Sequence, residues 1–186
     1  GALNVIGCHA IDLAHFIVGD IADVSGVISA PVTDESRGEP VDTVTGLVRY
    51  VTGAVGTIGA TLIAPGRRNH LSLEISGAKG TISWDLENLN NLGFFRRDGA
   101  KVNGFMQEIV CEADHEIAKD WWPTGHILGW EHSHINMLSH FLRAVAFDRP
   151  VGPDAATFRD GARAADVAAA ITESAQSGRR TDVVYA

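Results

Sequence analysis

Hydrophobic and polar residues alternate along the middle of the chain, between Val41 and Asp85. Four runs in this stretch are dense in β-branched residues, and the one from Leu71 to Ile75 alternates most cleanly. The runs are separated by short glycine-containing turns: Thr52-Gly53, Pro65-Gly66 and Gly77-Ala78-Lys79-Gly80. This pattern is typical of an antiparallel meander with one face against a core. Strands this short need helices to cover that face.

In three other segments, the apolar residues recur with the period of an α-helix. Apolar residues recur at helical spacing in Gly7–Gly19, Ile135–Val145 and Asp154–Ser177. Gly19 and Gly178 stand where left-handed helix caps are expected. The remaining predictions are a strand at Val24–Ser29 and a polar loop at Pro31–Pro40. A short strand entering a turn is predicted at Gly93–Gly99, an edge strand at Phe105–Cys111, and a short terminal strand or tail at Thr181–Tyr185.

Bulk composition narrows the class of protein. The 186 residues are 45% hydrophobic and 20% charged, which fits one ordinary globular domain. The net charge of −8 and the lack of a basic stripe argue against a nucleic-acid partner. No apolar run has membrane-spanning length, and no signal peptide is visible. The two cysteines form no disulfide framework, so we expect a cytoplasmic protein.

His9 is the first candidate for chemistry. It lies three residues before Asp12 on the first predicted helix, so the two side chains can share a flank. A carboxylate in that position can orient an imidazole for proton transfer. The same pair could equally serve only to stabilise the helix, and the spacing leaves both interpretations open.

A second candidate site is the stretch from Asp120 to His134. It holds three of the four Trp residues and three His around Pro123 and two glycines, directly before a helix. Such a loop can form the wall of a pocket for a polar ligand. From residue type, we expect the substrate contacts to be His126, Trp130, Glu131 and His132.

The His-rich stretch is a poor candidate for a metal site. His132 and His134 are two residues apart, and on a helix they would point to different faces. No HExxH motif and no nearby cysteine supports them, so no metal is expected. A metal-dependent lyase or isomerase, with stoichiometric metal in the purified protein, stays open as an alternative.

Four stretches, in order along the chain, resemble motifs of the C-terminal half of the Gfo/Idh/MocA oxidoreductases, the glucose-fructose oxidoreductase and inositol dehydrogenase family. The first is similar to the family's Gly-Ala-Leu-x-Asp-Ile-Gly-x-His-x-x-Asp. The second is similar to its G-x-x-G-x-[IL]-x-[FW] hairpin. The four stretches are Gly1–Asp12, Gly77–Glu87, Gly125–His132 with the helix after it, and Asp160–Gly178.

The resemblance implies an α+β fold of the dihydrodipicolinate-reductase-like C-terminal type. Its large, open, mostly antiparallel sheet would be covered on one face by helices and would mediate a homo-dimer or tetramer. The first helix would line an active site beside an N-terminal Rossmann domain. There His9 would take part in proton transfer during hydride transfer to NAD or NADP, with Asp12 as structural support. The segment from Gly125 to His132 would border a sugar or polyol substrate.

Three departures from the family pattern bear on activity. Val5 stands where the motif has a carboxylate, and a valine accepts no hydrogen bond. No Gly-x-Gly-x-x-Gly follows a strand, and no Glu-Lys-Pro segment supplies the family's lysine. The chain has no initial Met and begins inside the first motif, so we expect a fragment.

We therefore expect residues 1–186 to be a single substrate-binding and oligomerisation domain, separated from its dinucleotide-binding domain. The whole enzyme would be an NAD(P)-dependent dehydrogenase that oxidises a secondary hydroxyl of a sugar, anhydrosugar or polyol. This chain alone would be inactive. The alternative is a catalytically inactive, stand-alone binding or assembly module of the same fold.

Overall fold

The computed structural model describes residues 1–34, 39–99, 103–152 and 155–186. A π-helical turn, Leu3–Gly7, leads into helix α1. The helices are α1 (Cys8–Ile17), α2 (Trp130–Ala146) and α3 (Phe158–Ser177). The strands are β1 (Ile21–Asp34), β2 (Glu39–Tyr50), β3 (Val55–Thr61), β4 (Ser72–Gly77), β5 (Gly80–Asp85), β6 (Asn91–Arg96), β7 (Met106–Ile109) and β8 (Thr181–Asp182). The chain divides into two compact units, residues 1–65 with 152–186, and residues 66–151.

The first unit is built on an antiparallel sheet of order β3-β2-β1-β8. Along β2, Val44, Val48 and Tyr50 are buried, while Leu47 between them is exposed. The buried face packs with α1 and α3, because both helices present apolar side chains to it. The largest fully buried side chains of this core are Ile11, Ile21, Val24, Val167 and Ile171.

Helix α3 approaches β1 closely at Gly26. A Cβ atom at Gly26 would lie 2.6 Å from the carbonyl oxygen of Ile171, so only glycine fits there. The Gly26 N–H donates to the hydroxyl of buried Ser174 at 2.9 Å, and that hydroxyl donates to the Arg179 carbonyl. The contact therefore stabilises both the packing of α3 and its end at Gly178, which has the expected left-handed φ of 66°.

A buried carboxylate joins two strands of this sheet to the segment after α3. Asp23 on β1 is 3% exposed and pairs with Arg49 on β2. Arg180 approaches the other Asp23 oxygen at 3.1 Å. Two cations thus compensate the burial of one charge, as a buried carboxylate requires.

The second unit holds an antiparallel sheet of order β4-β5-β6-β7 and helix α2. Consecutive strands pair with one another, with Gly77 opposite Gly80 at the turn between β4 and β5. The indole N–H of Trp84 donates to the Leu89 carbonyl at 3.0 Å, which ties β5 to the turn that leads into β6. Asn90, next to β6, bonds to Leu128 in the aromatic segment, residues 120–129, that precedes α2.

The predicted α+β class with antiparallel strands and helices is confirmed, and the strands lie in two four-stranded sheets. The predicted polar loop at Pro31–Pro40 is wrong at both ends. β1 extends to Asp34 and β2 starts at Glu39, because the two strands pair along a long hairpin; residues 35–38 lie outside the described part. The last helix starts at Phe158, since Thr157 caps it through reciprocal bonds with Asp160; the predicted start at Asp154 lies outside the described residues.

Within the described residues, no helix is long and apolar enough to cross a membrane.

Candidate active site

His9 lies in the first unit, near the start of α1, with its side chain exposed to solvent. Val5 precedes it by about one turn, in the π-helical segment, and is 62% exposed. Among the described residues, His9 and Asp12 make no hydrogen bond or ion pair with each other. Asp12 instead lines a neighbouring cavity. An exposed imidazole of this kind is free to bind a group brought to the helix.

The cavity beside α1 has a volume of about 590 Å³. It is lined by α1 and by the beginning of α3, with Asp12, His15, Phe16, Arg159, Asp160 and Arg163 among its residues. Arg163 forms an ion pair with Asp20 and lies over the ring of Tyr185. Burial, and after it the positive charge of Arg163, hold the pKa of His15 below its ordinary value. His15 therefore loses its proton more readily than a free imidazole does.

The aromatic segment in the second unit turns at Gly125, whose φ of 89° favours glycine. After the turn, the Nδ1 of His126 lies 2.8 Å from the Pro123 carbonyl oxygen. A carbonyl only accepts, so Nδ1 carries the proton and the exposed Nε2 of His126 is left as an acceptor. Asn90 then fixes the chain at Leu128 through two bonds of 2.8 Å, one in each direction.

Helix α2 begins at Trp130, and its first turn carries three of the predicted contacts. Trp130 is 50% exposed and its ring lies 4.8 Å from that of His134. The side chain of Glu131 is 71% exposed, whereas that of His132 is only 13% exposed. Trp130 and Glu131 are thus accessible to a ligand, and His132 is held in place by its neighbours.

Three contacts orient His132. Its Nδ1 accepts the Gly129 N–H at 3.0 Å, the role that Glu or Gln usually has in a capping box. Its ring meets that of Trp121 edge-on, with 4.4 Å between centroids, and its Nε2 lies 3.2 Å from the indole nitrogen of Trp122. Trp121 is itself fixed by a 2.9 Å bond from its indole N–H to Asn136.

The structure therefore places the predicted site residues in two groups. His126, Trp130, Glu131 and His132 lie together in the aromatic segment and the first turn of α2, in the second unit. His9 and Asp12 lie on α1, in the first unit. Sequence reasoning missed the supporting roles of Asn90, Trp121, Trp122 and Asn136. The tryptophan pair was visible as composition, but nothing in the sequence indicated its partners.

Within the described residues, no three His, Cys, Asp or Glu side chains are placed to hold a metal ion. His132 and His134 lie on a helix rather than on extended backbone, so they diverge.

The fold and these motifs define the C-terminal domain of an oxidoreductase. Residues 1–183 match the model of the oxidoreductase family, C-terminal alpha/beta domain, and the chain belongs to this Gfo/Idh/MocA family.

Particular relatives refine the comparison. The levoglucosan dehydrogenase of Pseudarthrobacter phenanthrenivorans is 30% identical over 98% of this chain and 52% of its own length. A solved levoglucosan dehydrogenase in complex with NADH and levoglucosan superposes with a TM-score of 0.90, at 32% identity, over 100% of this chain and 51% of that one. An oxidoreductase domain protein from Kribbella flavida gives 0.87 at 32% identity, over 99% of this chain and 51% of that one. The chain thus spans about half the length of these relatives.

Proposed function

We propose that residues 1–186 form the substrate-binding and oligomerisation domain of an NAD(P)-dependent dehydrogenase. The enzyme oxidises a secondary hydroxyl of a sugar, anhydrosugar or polyol. The observation that carries this proposal is the similarity to levoglucosan dehydrogenase along nearly the whole chain. Other solved levoglucosan dehydrogenase complexes hold NADH alone or NADH with L-sorbose, which supports a neutral sugar and a nicotinamide cofactor.

Oxidation of a secondary alcohol removes a hydride from carbon and a proton from the hydroxyl oxygen, leaving a ketone. Nicotinamide, when bound, supplies the hydride acceptor. In this proposal His9 takes the hydroxyl proton, since its exposed imidazole has no internal partner among the described residues. His126, Trp130, Glu131 and His132 bind the sugar through an acceptor nitrogen, an aromatic face, a carboxylate and a fixed ring.

The residues of this chain do not fit the dinucleotide itself, because no glycine-rich phosphate-binding turn follows any strand. The proposal therefore assigns NAD or NADP to a separate dinucleotide-binding domain, where the choice between the two cofactors is made. The free thiols of Cys8 and Cys111 support a reducing, cytoplasmic setting.

The test uses the full-length gene product. Its intact mass is compared with the 19.8 kDa of this chain, and reduction of NAD and of NADP is followed with levoglucosan, L-sorbose, glucose and inositol. We expect a mass near twice that of the chain and turnover of at least one neutral sugar or polyol. No turnover with either cofactor across a wider sugar panel would contradict the proposal.

The role of His9 gives a sharper prediction. Replacing it, His9→Asn, should lower kcat by about 10²–10⁴-fold with little change in KM, because the loss is of proton transfer rather than binding. His70→Asn is the matched control, a partly exposed histidine outside the proposed site, and should leave kcat unchanged. A His9→Asn enzyme with normal kcat would remove His9 from the mechanism.

The alternative, a catalytically inactive binding or assembly module, is favoured by one observation. Val5 occupies the position of the family's motif carboxylate and is exposed in the π-helical turn that leads into the helix of His9. If Val5→Asp raises turnover greatly in the full-length protein, the natural protein is degenerate. If the natural protein with Val5 is already active, the carboxylate is dispensable and the dehydrogenase proposal stands.

A further inference from the structure

One face of α1 connects His9 to the cavity beside that helix. Four residues of this face are spaced i, i+3, i+4 and i+7, which aligns their side chains: His9, Asp12, Leu13 and Phe16. The last three of them line the cavity. At a rise of about 1.5 Å per residue, the cavity begins about one helical turn beyond His9. A molecule bound at His9 can therefore extend along α1 into the cavity.

Two charged side chains of opposite sign line this cavity without pairing. Neither the Asp12 carboxylate nor the Arg159 guanidinium makes a hydrogen bond or an ion pair among the described residues. The other charged residues of the cavity are occupied. Arg163 is held in its ion pair, and Asp160 accepts from the N–H and the hydroxyl of Thr157 at 2.7 Å each. The cavity thus offers a ligand one free acceptor group and one free donor group.

The remaining walls suit a sugar ring. Phe16 is 71% exposed and supplies an aromatic surface, while the small side chains of Ala155 and Ala156 leave room opposite α1. The volume of about 590 Å³ lies within the range of about 300–1,000 Å³ that is usual for small-molecule sites. The hydroxyls of a sugar both donate and accept, so they can bond to a carboxylate and to a guanidinium, and its apolar C–H face can pack on an aromatic ring.

We propose that this cavity binds a second, neutral sugar ring of the substrate, so that the full-length enzyme prefers a disaccharide to a monosaccharide. The ring that is oxidised lies at His9, and the second ring lies one to two turns further along α1. A neutral ring is favoured because an anion that Arg159 attracts is repelled by Asp12 and Asp160 in the same cavity. This inference rests on the proposed function and deepens it by naming the substrate class.

The first test compares disaccharides with the monosaccharides that they contain, using the full-length protein. Cellobiosan is compared with levoglucosan, and cellobiose, maltose and gentiobiose are compared with glucose. At least one disaccharide should have a kcat/KM about tenfold higher than its monosaccharide, the contribution of one further hydrogen bond to a charged group. If every disaccharide has a kcat/KM equal to or below that of its monosaccharide, the inference is wrong.

Variants of the cavity give the second test, with the ratio of kcat/KM for the disaccharide to kcat/KM for the monosaccharide as the readout. Phe16→Ala and Arg159→Gln should each lower this ratio about three- to tenfold. Phe16→Tyr keeps the aromatic face and should preserve the ratio, whereas Ala156→Trp fills the cavity and should lower the ratio. Phe158→Ala is the matched control, because Phe158 is fully exposed beside Arg159 but does not line the cavity. A ratio that Phe16→Ala and Arg159→Gln leave unchanged would overturn the inference.

Binding measurements separate this inference from the proposed function. If no sugar is oxidised, the proposed function fails, and isothermal titration calorimetry with the same sugars tests the cavity alone. Tighter binding of a disaccharide than of its monosaccharide, lost in Ala156→Trp, would support the site for a second ring. Equal affinities, or a preference that Ala156→Trp leaves unchanged, would contradict it. If turnover is normal and no disaccharide is preferred, the function stands and the inference fails.

Discussion

At the scale of single residues, hydrogen-bond partners show which atom of a side chain carries a proton, and the sequence alone does not show this. The hydroxyl of Tyr185 accepts from the Ile21 N–H at 2.8 Å and donates to the Ile21 carbonyl at 2.9 Å. Its remaining lone pair faces the Nε2 of His15 at 3.1 Å, so His15 must donate there. The Nδ1 of His15 is consequently an acceptor, and it is buried without a partner among the described residues.

This arrangement predicts a specific dependence of stability on pH. The pKa of His15 is lowered in the folded protein, chiefly by burial, whereas in the unfolded chain it returns to about 6.5. Below that pH the unfolded chain binds a proton that the folded protein does not. His15 should therefore leave the free energy of unfolding unchanged above pH 6.5. Below that pH, the free energy of unfolding should fall as the pH approaches the lowered pKa of His15 in the folded protein.

The measurement is urea unfolding at several pH values for the natural protein and for His15→Gln. Glutamine can donate to Tyr185 but does not titrate in this range. The free energy of unfolding of the natural protein should fall, relative to that of His15→Gln, between pH 7 and pH 5. The slope of this difference against pH should correspond to the uptake of at most one proton on unfolding. A difference that is constant with pH would show that His15 does not carry the effect.

At the scale of elements, the close packing of α3 on the first sheet depends on glycine. Gly26 on β1 and Gly46 on β2 both face Ile171, but at different distances. A Cβ at Gly46 would meet the flexible end of the Ile171 side chain at 3.5 Å, an ordinary contact. At Gly26 it would meet the backbone of α3, which can yield only if the helix moves.

The two glycines thus form a matched pair. Gly26→Ala should lower the free energy of unfolding by about 1–3 kcal/mol, the cost of overpacking. Gly46→Ala should change the free energy of unfolding by less than about 1 kcal/mol, because its Cβ would make only an ordinary contact. Both substitutions affect the unfolded chain alike, so the difference between them reports on packing in the folded protein. Chemical denaturation of both variants checks this, and equal losses would mean that the approach of α3 to β1 is not tight.

At the scale of the whole molecule, the outer face of the first sheet is a candidate surface for assembly. Val27, Leu47 and Val55 lie on the face opposite the core and are 68%, 61% and 78% exposed. An apolar patch of this kind on a sheet is typical of an interface. In our proposal, copies of the chain pack through this face to give a homo-dimer or a tetramer.

Leu47→Lys should therefore convert the oligomer to a monomer, because a buried unpaired cation opposes association. Light scattering after size-exclusion chromatography measures the mass. Val184→Lys is the control, since Val184 is 80% exposed on the C-terminal tail and lies outside the sheet face. A natural protein that is already monomeric, or a Leu47→Lys oligomer of unchanged mass, would exclude this face.

The sequence by itself determined the kinds of element and the family. The alternation from Leu71 to Ile75 and the helical spacing around Ile171 express backbone preferences that act over a few residues, and so do the caps at Gly19 and Gly178. The ordered motifs identified the C-terminal oxidoreductase domain, which the family match confirms.

Only the tertiary structure decided how the strands divide between two sheets, why Gly26 must be glycine, and which groups hold His132. Asn90 and Leu128 are 38 residues apart, and Gly26 and Ser174 are 148 apart. No local pattern encodes such pairs, because they form only when packing brings distant segments together. The same limit applies to the candidate site, whose residue types were visible in the sequence but whose protons and partners were not.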